Sequence, residues 1–250
     1  MNVTYLRIDL VRQLRDGMYI SFVIALPVVM YLLFGTAFGA SADVVGRGDT
    51  RFYVMSAMAA YGASVGATSI AASAAMELLQ GWGRQLALTP LRPPAFVATK
   101  VVVALAVSAV GALAVTVVGA ATGAHVSALW VWIVTFLVAW LGSSLFALYG
   151  LVVAQVFRSE TAIGVASASL VVWAFFGNLF VPLSGTVQQI ARWTPMYGYA
   201  GLVRWSQMQG HSVTSSQVDP LWLLVLNWVA WAAAFAVLAT WANRRGRARQ

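Results

Sequence analysis

Apolar residues gather along this 250-residue chain into six long runs separated by short polar segments. The runs lie near Met18–Phe38, Phe52–Met76, Ala95–Ala121, Leu129–Ala154, Thr161–Val181 and Leu221–Trp241. A bilayer core about 30 Å thick takes roughly 20 apolar residues of helix, so each run predicts one membrane-spanning helix. A membrane barrel would alternate apolar and polar residues instead. Residues 101–107 are unbroken Val, Ala and Leu, so the fold class expected is all-α, with six transmembrane helices. Lys100 is the one charge inside any run, near an end where its stem can snorkel to the interface.

The segment before the first run has a different period. Val3, Leu6, Leu10, Val11 and Leu14 fall on one arc at 3.6 residues per turn, with Arg7 intruding. This predicts an amphipathic helix lying along the membrane. Two connections are long, Glu77–Pro94 and Pro182–Pro220; the rest are short, as between antiparallel neighbours. The chain reads as one transmembrane domain, 1–250. Its parts are the amphipathic helix (1–17), spans one and two (18–76), a loop (77–94), spans three to five (95–181), a second loop (182–220), span six (221–243) and a basic tail (244–250).

Composition agrees: 61% of residues are apolar and 9% are charged. Soluble domains carry roughly 25% charged residues, and this chain could not cover a water-facing surface. The net charge of +8 is therefore a signal of orientation rather than of nucleic acid. With the N-terminus inside, eleven Arg and Lys residues flank the spans on the inner side. Arg47, Arg51, Arg192 and Arg204 fall outside. This predicts cytoplasmic N- and C-termini, with the Arg-rich tail against anionic inner-leaflet lipid. The first sixteen residues are too polar for a cleavable signal peptide. There is no cysteine, and the histidines are only His125 and His211, which argues against a metal site.

Candidate chemistry is sparse. A phosphate-binding loop ends in Gly-Lys, but Thr99 precedes the one lysine, so the chain is not expected to hydrolyse ATP itself. Residues 62–66 match Gly-x-Ser-x-Gly, but inside a predicted span and without acid or histidine partners. A small-residue packing face is the better reading. Polar groups within spans tend to face other helices or a cavity. Ser64, Thr68, Ser69 and Ser73 on the second span, Asn178 on the fifth and Asn227 on the sixth are such groups. The serines and threonine can also bond to their own backbone; Asn178 is a candidate for a pathway or dimer interface. The loop 77–94 has room for a short helix, Trp82 to Leu88, stopped by Thr89-Pro90. It could dock on a partner or be a plain linker.

At this loop the sequence resembles the permease subunits of type-2 ABC exporters, the daunorubicin-resistance-like group. Glu77, Gly81, Gln85, Leu86, Thr89 and Pro90 match the run that follows the second span in that family, and Lys100 the lysine that opens the third. Pro182, Leu183 and Ser184, then Pro195 and Arg204, match its external segment. The resemblance implies that Glu77–Leu91, with Trp82 and Arg84, is a coupling helix contacting a separate ATP-binding subunit. The N-terminal helix would be a connecting helix against the same subunit. It implies two such subunits, which hold ATP and Mg, and a second permease chain, identical or paralogous. Substrate would pass between the permease chains near the second and fifth spans. Short external re-entrant helices, including Pro182, Leu183, Ser184, Pro195 and Arg204, would form a gate. The cargo implied is a hydrophobic or amphipathic drug, antibiotic or lipid; polysaccharide, haem or peptide is the alternative. The absence of acids from every span weighs against an intramembrane enzyme or an ion-coupled secondary transporter.

Overall fold

A computed structural model describes residues 3–38, 43–81, 93–157, 161–214 and 218–247. Among them lie ten helices and one two-stranded hairpin. In chain order these are α1 (Val3–Arg15), α2 (Gly17–Phe38), β1 (Val44–Val45), β2 (Gly48–Asp49), α3 (Thr50–Leu79), α4 (Pro93–Ala121) and α5 (Leu129–Gly142). There follow α6 (Ser144–Phe157), α7 (Thr161–Phe176), α8 (Gly185–Ala191), α9 (Pro195–Met208) and α10 (Leu221–Arg247). Among the described residues four stretches are long and apolar enough to cross a membrane: Thr50–Glu77, Ala98–Ala121, Leu129–Phe157 and Leu221–Ala242. Val23–Gly35 and Thr161–Phe176 are apolar but shorter. The fifth predicted span therefore stops short. At 1.5 Å per residue, the 16 residues of α7 reach about 24 Å.

The fourth predicted span is broken at Ser143. Gly and Ser together are a common cause of helix breaks, and here Ser143 and Ser144 hydroxyls donate to the carbonyls of Trp140 and Leu141 at 2.6 and 2.7 Å. Carbonyls near the break find other donors. Trp228 Nε1 reaches Gly142 O at 3.0 Å, and the Tyr199 hydroxyl reaches Ala139 O at 2.5 Å.

Helix α3 is the hub. It packs against α2, α4, α6 and α7, and it is the least hydropathic of the long helices yet the most deeply enclosed. Lipid asks for bulk hydrophobicity; a helix surrounded by helices asks for small side chains. The Gly-x-Ser-x-Gly stretch serves that purpose. A Cβ on Gly111 of α4 would lie 2.7 Å from Gly62 O, and one on Gly150 of α6 would lie 2.3 Å from Thr68 O. By contrast, α10 is the least enclosed of the long helices and turns residues such as Trp222, Leu226 and Val237 outward.

Alternating helix directions place α1, Glu77, Lys100 and the end of α10 at one end of the bundle. The hairpin, residues 122–128, α8 and α9 gather at the other. There Asp49 Oδ1 caps α3 by accepting from Phe52 N at 2.7 Å, and Oδ2 accepts from His125 N at 3.1 Å. Gln207 Nε2 donates to the carbonyls of Val45 and Asp49, so the end of α9 is stitched to the hairpin.

Candidate functional site

At the α1 end four charged side chains from three helices close a ring. Lys100 Nζ, on α4, lies 2.9 Å from Asp9 Oδ2 and 3.1 Å from Asp9 Oδ1, to which it donates. The same ammonium is 2.7 Å from Glu77 Oε2 on α3. Arg12 Nη2 completes the circuit, 2.5 Å from Glu77 Oε1 and 3.0 Å from Asp9 Oδ1. Charges alternate around the ring and sum to zero. Asp9 and Lys100 are buried, whereas Arg12 is more than half exposed. Burial works against the Arg12 charge; the hydrogen bond and charge of Glu77, with Asp9, outweigh it and hold the guanidinium above its ordinary value. Lys100 therefore does not snorkel, as its position near a span end suggested. Two carboxylates within 3 Å hold it better than distant headgroups would.

The ring joins the end of α3 to the first turns of α4, on either side of the connection between them. Glu77 ends the inner turn of α3, and Lys100 lies one turn and more into α4. Leu6 and Leu10 of α1 pack on the core beside it, while Val3, Val11 and Leu14 of the same arc are exposed. Of the predicted coupling residues, Gly81 adopts a positive φ of 90° just past α3, which suits glycine. Trp82, Arg84, Gln85, Leu86, Thr89 and Pro90 lie outside the described residues.

The polar groups of the second span are brought together on α3 but serve the interior of this chain. Ser64 donates to Ala60 O at 2.8 Å on its own helix. Thr68 donates across to Phe146 O on α6 at 3.0 Å. Ser69 bonds Val65 O and meets the Ser167 hydroxyl of α7 at 3.3 Å. All three are buried, and Ser73 is half-buried. Next to them, α2, α3 and α7 border a groove of about 210 Å³, walled by apolar groups including Leu26, Phe34, Tyr61, Phe175 and Phe180.

At the far end Asn178 follows α7 with φ 59°. It lies in the turn rather than within the span. Its Oδ1 accepts from Leu183 N at 2.7 Å, and its carbonyl accepts from Arg204 Nη2 at 2.7 Å. Arg204 is buried, with its guanidinium 4.3 Å from the Tyr53 ring centroid. Burial pulls that guanidinium below its ordinary value, though an arginine stays charged throughout the accessible range. Pro195 opens α9, where proline's missing N–H costs nothing. Ser184 is the residue before α8, Pro182 is exposed and Leu183 is half-buried.

Beside them Asp219 accepts from Arg192 and from the Tyr197 hydroxyl, the latter at 2.6 Å. Burial, with this bond second, pushes the Tyr197 phenol up. Asn227 Nδ2 donates to Arg192 O at 2.9 Å, which ties α10 to the end of α8. Sequence reasoning missed Asp9, Arg12, Arg192, Tyr197 and Asp219. The available signal was arithmetic: with so few acids in the chain, one on an amphipathic helix and one between spans invite a search for buried cations.

Residues 3–208 match the ABC-2 type transporter family. A Bacillus subtilis (strain 168) protein described as "Putative transport permease YvfS" is 20% identical over 244 residues, covering 96% of each chain.

Proposed function

The chain belongs to the ABC-2 type transporter family, and from that premise we propose that it is the permease subunit of an ATP-driven exporter. In this reading it works with two copies of a separate ATP-binding subunit, which hold ATP and Mg, and with a second permease chain, identical or paralogous. It sits in the bacterial plasma membrane with both termini in the cytoplasm. The spans are α2, α3, α4, the broken pair α5–α6, α7 and α10; α8 and α9 re-enter the outer leaflet as a gate.

The charge ring is the observation that carries this reading. A motor stroke delivered to the loop after α3 must reach the spans without being absorbed by slack. Ring bonds to Glu77 and Lys100 fix both flanks of that loop, and bonds to Asp9 and Arg12 fix α1 to the same point. The loop and α1 then move as one body with α3, the hub of the bundle, which fits a transition between discrete packed states. Substrate would pass near α3 and α7. The apolar groove beside them supports a hydrophobic or amphipathic cargo over a polysaccharide. Ser64, Thr68 and Ser69 would face that passage only if α3 parts from α6 and α7, while Ser73 and Asn178 are partly accessible already.

The test replaces residues 81–88 with a flexible linker and co-expresses the ATP-binding subunit. We expect membrane insertion to persist and permease-stimulated ATPase to be lost. Unchanged assembly with unchanged stimulation would sink the coupling assignment.

A further inference from the structure

Arg204 borders a cavity of about 50 Å³ at the far end of the bundle, shared with Tyr53, Asn178, Tyr197, His211 and Asp219. It is 6% exposed. The guanidinium is held by a carbonyl and by an aromatic face, the Asn178 oxygen at 2.7 Å and the Tyr53 ring at 4.3 Å. Neither is an anion. Among the described residues no carboxylate lies within ion-pair distance of Arg204, and its buried Nε–H has no hydrogen-bond partner. Asp219, the carboxylate on the cavity wall, is already neutralised by Arg192 and the Tyr197 hydroxyl. The site thus has one uncompensated positive charge, one idle donor and a space beside both. Buried cations are stable when paired, and an idle buried N–H is costly. The volume exceeds the ~10–15 Å³ that a single water needs but is far below the ~300 Å³ of a drug-sized pocket.

We propose that this cavity is an anion-binding site that takes a single carboxylate or phosphate group, with Arg204 as its charge partner. Under the proposed orientation the group arrives from the external side, either as a free oxyanion or as a lipid headgroup phosphate. Binding there would also stiffen the turn at Asn178, because Arg204 holds the Asn178 carbonyl and Asn178 holds Leu183 N. The inference does not rest on ATP coupling and can be tested on the purified chain alone.

The test is thermal unfolding of the full chain in non-ionic detergent with sodium acetate or sodium phosphate, against sodium chloride at matched ionic strength. The wild type should show a saturable rise in midpoint, on the order of several degrees at tenfold excess over the dissociation constant. Arg204→Gln should lose the rise, and Arg204→Lys should keep a weaker one. If Arg204→Gln does not fold, Ser212→Trp should block the rise while leaving Arg204 intact, because Ser212 also lines the cavity. A second arm uses nanodiscs of phosphatidylglycerol without added oxyanion. An Arg204-dependent rise there assigns the site to headgroups; a rise with free oxyanion alone assigns it to soluble anions. No rise in either arm, or an equal rise in Arg204→Gln, leaves only water in the cavity and overturns the proposal.

Discussion

Replacing Lys100 by methionine removes the one buried cation of the charge ring while keeping a similar stem. At an effective dielectric of about 20, unit charges about 3 Å apart attract by roughly 5 kcal/mol. Lys100 has two such neighbours, at 2.9 Å (Asp9) and 2.7 Å (Glu77). Desolvation of the ammonium and of Asp9 offsets much of that attraction. The asymmetry survives: deleting one partner of a buried pair costs about 3–5 kcal/mol, because the other charge is left uncompensated. Arg12 is different. It is 55% exposed, and exposed pairs contribute roughly 0–1 kcal/mol. The assay exploits the absence of native cysteine. A lone Leu6→Cys, on the α1 face packed against the core, reports undocking of α1 by its rate of thiol labelling. Lys100→Met should raise that rate by roughly 10²-fold or more, since each 1.36 kcal/mol is tenfold. Arg12→Ala should raise it less than about fivefold. Asp9→Asn combined with Lys100→Met should fall short of the sum of the two by about 0.5–3 kcal/mol. Equal effects of Lys100→Met and Arg12→Ala would show that the ring does not hold α1, and the reasoning would be refuted.

Other consequences follow from close contacts elsewhere. Gly150→Ala should destabilise by about 1–3 kcal/mol or more, because its Cβ would meet the Thr68 carbonyl at 2.3 Å; Gly164→Ala, with open space around it, should be neutral or slightly stabilising, and thermal unfolding in detergent compares the two. Thr68→Val should cost about 0.6–2 kcal/mol for its bond to Phe146 O, measurable in the same way, whereas Ser64→Ala should cost less, its bond being to its own helix. Asp219→Asn should loosen α8 and α9 from the start of α10 by removing the charge that holds Arg192, seen as faster proteolysis within 183–220 with α3 and α4 still protected.

The positions of the apolar helices were legible because lipid imposes a long, unmixed hydrophobic run. Where another force takes over, the pattern misleads. The break at Ser143 replaces one expected helix by two, since Trp228 and Tyr199 satisfy carbonyls near the interruption. Helix α7 ends before Val181, where the fifth span was expected to end, because Asn178 turns the chain with a left-handed residue. Lys100 looked like an interfacial anchor because hydropathy sees no partner ninety-one positions away. Its role depends on α1 folding back, which α1's apolar arc permits but does not dictate. The far-end cluster was half visible. Pro195 and Arg204 stood out by resemblance, whereas Asp219 and Tyr197 gain meaning only from packing.

Under the proposed function this chain transmits ATP hydrolysis in another subunit to movement across a membrane. The direct measurement is reconstitution of the purified chain with its ATP-binding subunit in liposomes, following ATP-dependent transport of an amphipathic dye. The wild type should transport dye with ATP and not with ADP. Lys100→Met should assemble and hydrolyse ATP yet transport at a small fraction of the wild-type rate. Dye movement that is indifferent to ATP, or full transport by Lys100→Met, would contradict it.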